Sequence, residues 1–97
     1  MMILKNFYQI SLELADDKKT SYILGKNNKF SQRMDGDGRI FKNKEDADSF
    51  FNEIDANFIK EDGFAIGVTV FLTEVSLGDQ EDGDVFYKVI NKKSIKF

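Results

Sequence analysis

The chain has 97 residues, 41% of them apolar, and a net charge of −3, which together predict one globular domain over residues 1–97. It contains no cysteine, which excludes disulfides, thiolate nucleophiles and cysteine-bound zinc. It contains no histidine either, which removes the side chain most often used as a general acid or base near neutral pH.

The first third of the chain predicts an antiparallel hairpin and a short third strand. Between residues 7 and 14, apolar and polar side chains alternate, which is typical of a strand with one buried face. The predicted buried residues are Tyr8, Ile10, Leu12 and Leu14. A polar turn at residues 16–19 then leads into a second strand at 20–24, and residues 29–33 predict a third. The sequence Asp35-Gly36-Asp37-Gly38 predicts a turn after it.

An amphipathic helix follows Asn43, which can cap its first turn. Apolar residues at spacings of three and four form one stripe along it, consisting of Ala47, Phe50, Phe51, Ile54 and Phe58. Asp48, Asn52 and Asp55 lie on the opposite side of the predicted helix. Gly63 can adopt the left-handed conformation that ends a helix.

The last third predicts a long hairpin, with strands at residues 64–77 and 85–90 joined by an acidic turn at 78–84. Ile95 and Phe97 can extend its second strand. The predicted fold is therefore α+β, an antiparallel sheet of four to five strands with one amphipathic helix on one face, in the order ββ(β)αββ.

This hairpin carries apolar residues on both faces, whereas one helix can cover only one face. If Leu77 pairs with Asp84, then Phe71 lies opposite Ile90 and Val75 lies opposite Phe86. The second face is either covered by the N-terminal segments or is a contact surface for a second copy or another protein. A slip of one residue would regroup these side chains. The candidate apolar interface consists of Phe71, Val75, Phe86 and Ile90.

The charge is distributed unevenly along the chain. Residues 35–84 carry a net charge of −10, whereas residues 1–34 carry +3 and residues 85–97 carry +4. An acidic middle repels phosphate and attracts basic surfaces, although a solvated helix face and turn explain the same residues. The candidate partner-binding acids are Asp48, Asp55, Glu61, Asp62, Asp79, Glu81 and Asp82.

Motifs for catalysis, metal binding and phosphate binding are absent from the sequence. Asp35 and Asp37 are the one tight carboxylate pair before the helix, and a turn explains them. An EF-hand starting at Asp35 fails at its sixth position, where Ile40 replaces glycine, and at its twelfth, where Asp46 replaces glutamate. No glycine-rich phosphate-binding motif occurs. We therefore expect no enzymatic activity, no metal and no cofactor.

These features predict a small non-enzymatic protein-interaction module. The acidic surface suits an inhibitor or regulator, of the kind found in phages and mobile elements, that binds a basic and possibly nucleic-acid-binding partner protein; a homodimer is a further expectation. The alternative is a nucleic-acid-binding module that uses lysines of the two ends, with Tyr8, Tyr22 or Phe97 for stacking. The apolar start at residues 1–4 is too short for a signal peptide and no run is long enough to span a membrane, so we expect a cytoplasmic location.

Overall fold

A computed structural model describes residues 5–32, 38–77 and 85–96 and shows a five-stranded antiparallel sheet with two short helices. The predicted α+β class and the ββ(β)αββ order are confirmed. The sheet order is β3-β2-β1-β4-β5. Its strands are β1 Lys5–Leu14, β2 Asp17–Leu24, β3 Phe30–Ser31, β4 Val68–Leu77 and β5 Val85–Ile95. The helices are α1 Lys44–Glu53 and α2 Ala56–Glu61.

The core lies between the helices and one face of the sheet. The predicted alternation in β1 is confirmed, because Tyr8, Ile10 and Leu12 are buried; Leu14 is only partly buried but packs against the same core. Ile10 pairs with Leu72 and Leu12 with Val70, so β1 and β4 present matched apolar rows to the helices. We call this the helix face, and the opposite side the open face.

The predicted helix is divided in two at Asp55. Asn43 caps α1 as predicted, since its Oδ1 accepts the Asp46 N–H at 2.8 Å. Ile54 is extended, and the Oδ1 of Asp55 accepts the Phe58 N–H at 2.9 Å as the N-cap of α2. Aspartate prefers this capping position to a helix interior, because its short side chain can bond nearby backbone amides.

The predicted start of the fourth strand at Phe64 is wrong, because the strand begins at Val68. Gly63 takes the predicted left-handed conformation, with φ of +100°. Directly after it, the Phe64 N–H donates to the carbonyl of Ile59 at 3.2 Å, so the chain is still completing the end of α2. The ring of Phe64 packs edge-on against Tyr22, with 5.1 Å between ring centroids.

The predicted register of the last hairpin is also wrong. Leu77 pairs with Val85, so the register differs by one residue from the predicted Leu77–Asp84 pairing. A bulge opposite Leu72 and Thr73 then shifts the remaining pairs by one more residue. The partner of Phe71 is therefore Lys92 instead of Ile90, and the partner of Val75 is Tyr87 instead of Phe86.

Residues 35–37 of the predicted aspartate-glycine turn lie outside the described residues. Gly38 forms an isolated bridge with Gly25 beyond the end of β2. Phe41 then forms a second bridge with Tyr8, so this segment continues the sheet along the edge of β1. In the part of the chain that the structure describes, neither helix is long and apolar enough to cross a membrane.

Candidate protein-interaction surfaces

The two helices form the most acidic part of the described structure. From Lys44 to Asp62 the chain has seven acidic residues and two lysines. Ala47 and Phe51 are buried towards the sheet, which leaves the charged positions on the outer side. We call this outer surface the acidic layer, and its acidic residues are Glu45, Asp46, Asp48, Glu53, Asp55, Glu61 and Asp62.

Three of the predicted partner-binding acids make bonds within the chain. Asp48 accepts a hydrogen bond from the Lys44 ammonium at 3.0 Å, and this bond raises the pKa of Lys44. Asp55 caps α2. Asp62 accepts the Phe30 N–H at 2.7 Å and so joins α2 to β3. Their charges face outward in part, but their positions are set by the fold.

Glu61 is exposed, as are two glutamates that the sequence prediction omitted, Glu45 and Glu53. None of the three makes a hydrogen bond or ion pair with the described residues. In the sequence, these three glutamates share one feature: each lies on the outer side of a helix and is not its N-cap or C-cap residue. The remaining predicted acids, Asp79, Glu81 and Asp82, lie outside the described residues.

A groove of about 480 Å³ borders the acidic layer, between α1 and the segment that precedes it. Its apolar part comes from Phe41 and Phe50, and its carboxylates come from Asp46 and Glu53. The guanidinium of Arg39 lies 4.6 Å from the ring centroid of Phe41 and 4.8 Å from that of Phe50. Lys42 also lines the groove, so its two carboxylates lie beside two basic side chains of the chain itself, and Arg39 covers the aromatic rings.

The predicted apolar interface does not form one surface. Phe71 and Val75 lie on the open face, where Val75 is buried but separate from the core cluster. Ile90 packs against that core cluster. Phe86 lies opposite Ser76 on the helix face, near the end of the hairpin. The bulge and the changed register separate the two pairs, although whether any of the four contacts a partner stays a prediction.

Four of the six exposed large apolar residues of the described structure lie on the first half of β5, which we call the tip segment, Val85–Val89. The exposed fractions are 41% for Val85, 61% for Phe86, 70% for Tyr87 and 52% for Val89. The sequence prediction did not select Val85, Tyr87 or Val89, because the assumed register assigned them to the covered face. The remaining residue of this segment, Lys88, is also exposed.

The lysines proposed for nucleic acid binding lie at two separate edges of the sheet. Lys19 lies on β2, whereas Lys88 and Lys92 lie on β5, and strands β1 and β4 separate the two. Tyr8, one of the proposed stacking residues, is buried. The terminal strands therefore do not bring the lysines into one stripe.

Lys93 is a lysine of β5 that bonds to the backbone of helix α1. Its ammonium donates to the Phe51 carbonyl at 2.5 Å and lies 4.6 Å from the centroid of the Phe51 ring. Partial burial lowers the pKa of Lys93, and the charge of Asp55 opposes this change. The last turn of α1 contains no basic residue, so Lys93 supplies the positive charge that a helix C-terminus favours.

Asp35 and Asp37 lie outside the described residues. Within the described ranges, no three acidic side chains come together in a way that could hold a metal ion.

No protein-family model matches this chain, and no curated protein or solved structure is significantly similar to it. The surfaces described above are therefore the basis for a functional proposal.

Proposed function

We propose that the chain is a small non-enzymatic interaction module whose acidic layer binds a basic surface on a partner protein. The observation that supports this most directly is the set of three exposed glutamates, Glu45, Glu53 and Glu61, which have no bonding partner among the described residues. Carboxylates that stabilise the fold have their partners already, whereas these three are available to an external cation.

The electrostatics of this layer favour a basic protein over a nucleic acid. Like charges repel, so the acidic layer disfavours the approach of phosphates, and it accelerates the encounter with a basic surface. A partner that itself binds DNA or RNA would offer such a surface in its phosphate-binding cleft. Occupation of that cleft would make the chain an inhibitor or regulator of the partner.

The groove beside α1 adds a place for one specific contact. Exposed ion pairs each contribute only about 0.2–1 kcal/mol, so charge alone gives weak binding. A lysine or arginine of the partner that displaces Arg39 from the Phe50 ring would place its stem against this ring and its charge near Asp46 or Glu53. This contact would supply apolar burial together with the ion pair.

The test replaces the three exposed glutamates with neutral glutamine and leaves the N-cap residues Asn43 and Asp55 unchanged. The variant Glu45→Gln/Glu53→Gln/Glu61→Gln and the wild-type chain are titrated against a fluorescein-labelled poly-arginine peptide, with binding followed by anisotropy. Three lost ion pairs of about 0.5 kcal/mol each predict roughly tenfold weaker binding. Labelled duplex DNA should not bind the wild-type chain at low salt.

A matched control changes net charge equally at another surface. The variant Ser21→Lys/Ser31→Lys/Ser94→Lys also raises the net charge from −3 to 0, and its three serines are exposed on the open face. Its affinity for the peptide should fall much less. Equal loss in both variants would contradict a specific role for the acidic layer, and salt-sensitive DNA binding by the wild-type chain would favour the nucleic-acid alternative.

A further inference from the structure

Strand β5 is one of the two edge strands of the sheet, and within the described residues no strand pairs with its outer side. It is 11 residues long, and its first half carries four of the six large apolar residues that the structure exposes. Long apolar edge strands readily pair with another strand, and proteins usually protect them with lysine, proline or a bulge. The lysines and the bulge of β5 protect mainly its second half, which leaves the tip segment open.

The exposed side chains of the tip segment lie on both faces of the sheet. Tyr87 pairs with Val75 on the open face, whereas Phe86 pairs with Ser76 on the helix face. A partner that packs flat on either face would cover one of these rings and leave the other exposed. A strand added to the edge of β5 places new side chains beside both rings and also satisfies the outer backbone groups.

We infer that this added strand is the β5 of a second copy, paired antiparallel with the tip segment about a two-fold axis at Tyr87. The axis is perpendicular to the sheet. Each residue therefore lies opposite the residue of the second copy that is equally far from Tyr87 along the strand, on the other side of Tyr87. Val85 then pairs with Val89 of the second copy, and Phe86 pairs with Lys88 of the second copy. The first pair is apolar on the open face, and the second sets an ammonium beside an aromatic ring on the helix face.

The positions of the lysines and the bulge disfavour three other registers, with the axis at Lys88, Ile90 or Lys92. A two-fold axis at Lys88 or Lys92 would put two identical ammonium groups directly opposite each other. An axis at Ile90 would pair Lys88 with Lys92 and would also fall at the bulge. The segment 85–89 is free of the bulge, and with the axis at Tyr87 no lysine of this segment faces another lysine.

The contact is small, so the dimer should be weak. Phe and Tyr each bury about 150–250 Å² when fully covered, and the two rings are more than half exposed, so together they offer on the order of 250 Å² per copy. A standard interface buries about 800 Å² per partner. We therefore expect a concentration-dependent equilibrium with a Kd on the order of 10 µM to 100 µM.

The first test measures association by sedimentation velocity between about 5 µM and about 500 µM, a range that brackets this Kd. The wild-type chain should shift from monomer to dimer. Phe86→Lys should abolish the shift, since it faces Lys88 of the second copy, whereas Phe86→Glu should retain it through an ion pair with the same lysine. The two variants lose the same ring, so only the sign of the charge differs.

The second test determines the register by disulfide crosslinking. The natural chain contains no cysteine, so only an introduced cysteine can form the crosslink. Directly opposed residues of an antiparallel pair have Cα atoms about 4.5–5.5 Å apart, which suits a disulfide. Tyr87→Cys should therefore form a covalent dimer under mild oxidation at high protein concentration, whereas Val85→Cys should crosslink no faster than it does in urea. The double variant Val85→Cys/Val89→Cys should crosslink readily.

Three results would overturn the inference. They are a wild-type chain that stays monomeric throughout the concentration range, an equal loss of association in Phe86→Lys and Phe86→Glu, and faster crosslinking through Val85→Cys than through Tyr87→Cys. Circular dichroism melts of each variant separate lost association from lost folding. None of these results depends on whether the acidic layer binds a basic partner.

Discussion

The hydrogen bond between Asp62 and Phe30 should stabilise the fold, in contrast to the neighbouring Glu61, which is exposed. Strand β3 has only two residues and pairs only with β2 among the described strands. The Phe30 ring is buried in the core, and its N–H donates to Asp62 Oδ2 at 2.7 Å. This bond ties β3 to the end of α2 across 32 positions of sequence.

Replacing Asp62 with alanine leaves the Phe30 N–H without its acceptor at a partly buried site. A hydrogen bond to a charged group contributes about 1.5–3 kcal/mol, and the partial exposure of Asp62 favours the lower half of this range. We therefore expect Asp62→Ala to lower the free energy of unfolding by about 2 kcal/mol. For a domain of this size, the melting temperature should fall by roughly 8–16 °C.

The measurement is urea unfolding followed by circular dichroism, with Glu61→Ala as the matched control. Both variants remove one carboxylate at the end of α2, but Glu61→Ala should change the free energy of unfolding by less than about 0.5 kcal/mol. Asp62→Asn keeps an acceptor oxygen and should fall between them. Equal destabilisation by the two alanine variants would refute the assignment of Asp62 to the fold.

Two further substitutions test the N-cap of α2 and the buried tyrosine. Asp55→Ala should cost about 1 kcal/mol in urea unfolding by removing the cap that bonds the Phe58 N–H, and Asp55→Ser, which can still cap, should recover most of it. Burial and the adjacent Glu74 carboxylate raise the pKa of Tyr8 above 10.0, so the folded state holds this proton more tightly than the unfolded state does. The resulting stability is complete below the unfolded pKa and is lost as the pH rises through the folded pKa. As the pH rises above about 10, the free energy of unfolding should therefore fall more steeply for the wild-type chain than for Tyr8→Phe, and parallel profiles would contradict this.

The features that the sequence predicted correctly depend on short-range signals. The burial of Ile10 and Leu12 follows from strict alternation, because successive side chains of a strand point to opposite faces. The cap at Asn43 and the left-handed Gly63 depend on the chemistry of one residue and its immediate neighbours. Such signals need no knowledge of the rest of the fold.

The features that the sequence analysis missed are positions where two local structures fit the same residues. Asp55 fits the outer side of one long helix as well as the cap of a second, and tertiary packing of Ile54 and Ile59 in the core selects the cap. The bulge in β5 has no glycine or proline to mark it. Because the sequence does not show the bulge or the register of this hairpin, it could not show that Tyr87 lies on the open face of the sheet.

The same limit applies to the candidate site. The charge distribution in the sequence located the acidic region. It could not separate Asp55 and Asp62, which bond within the fold, from Glu53 and Glu61, which make no bond with the described residues. Both groups carry the same charge and lie close together in the sequence. The difference appears only when the backbone amides that face each carboxylate are known.

The two proposed surfaces have a geometrical consequence for each other. A two-fold axis that runs through the sheet at Tyr87 turns the second copy within the plane of the sheet, so the helix faces of both copies lie on the same side. The dimer would then present two acidic layers in one direction, joined by a continuous sheet of ten strands in which each copy contributes its five. A partner with two basic sites would engage the second layer at a high effective concentration, without any new contact. Binding to such a partner should therefore weaken in Phe86→Lys, whereas binding to a short peptide that reaches only one layer should not.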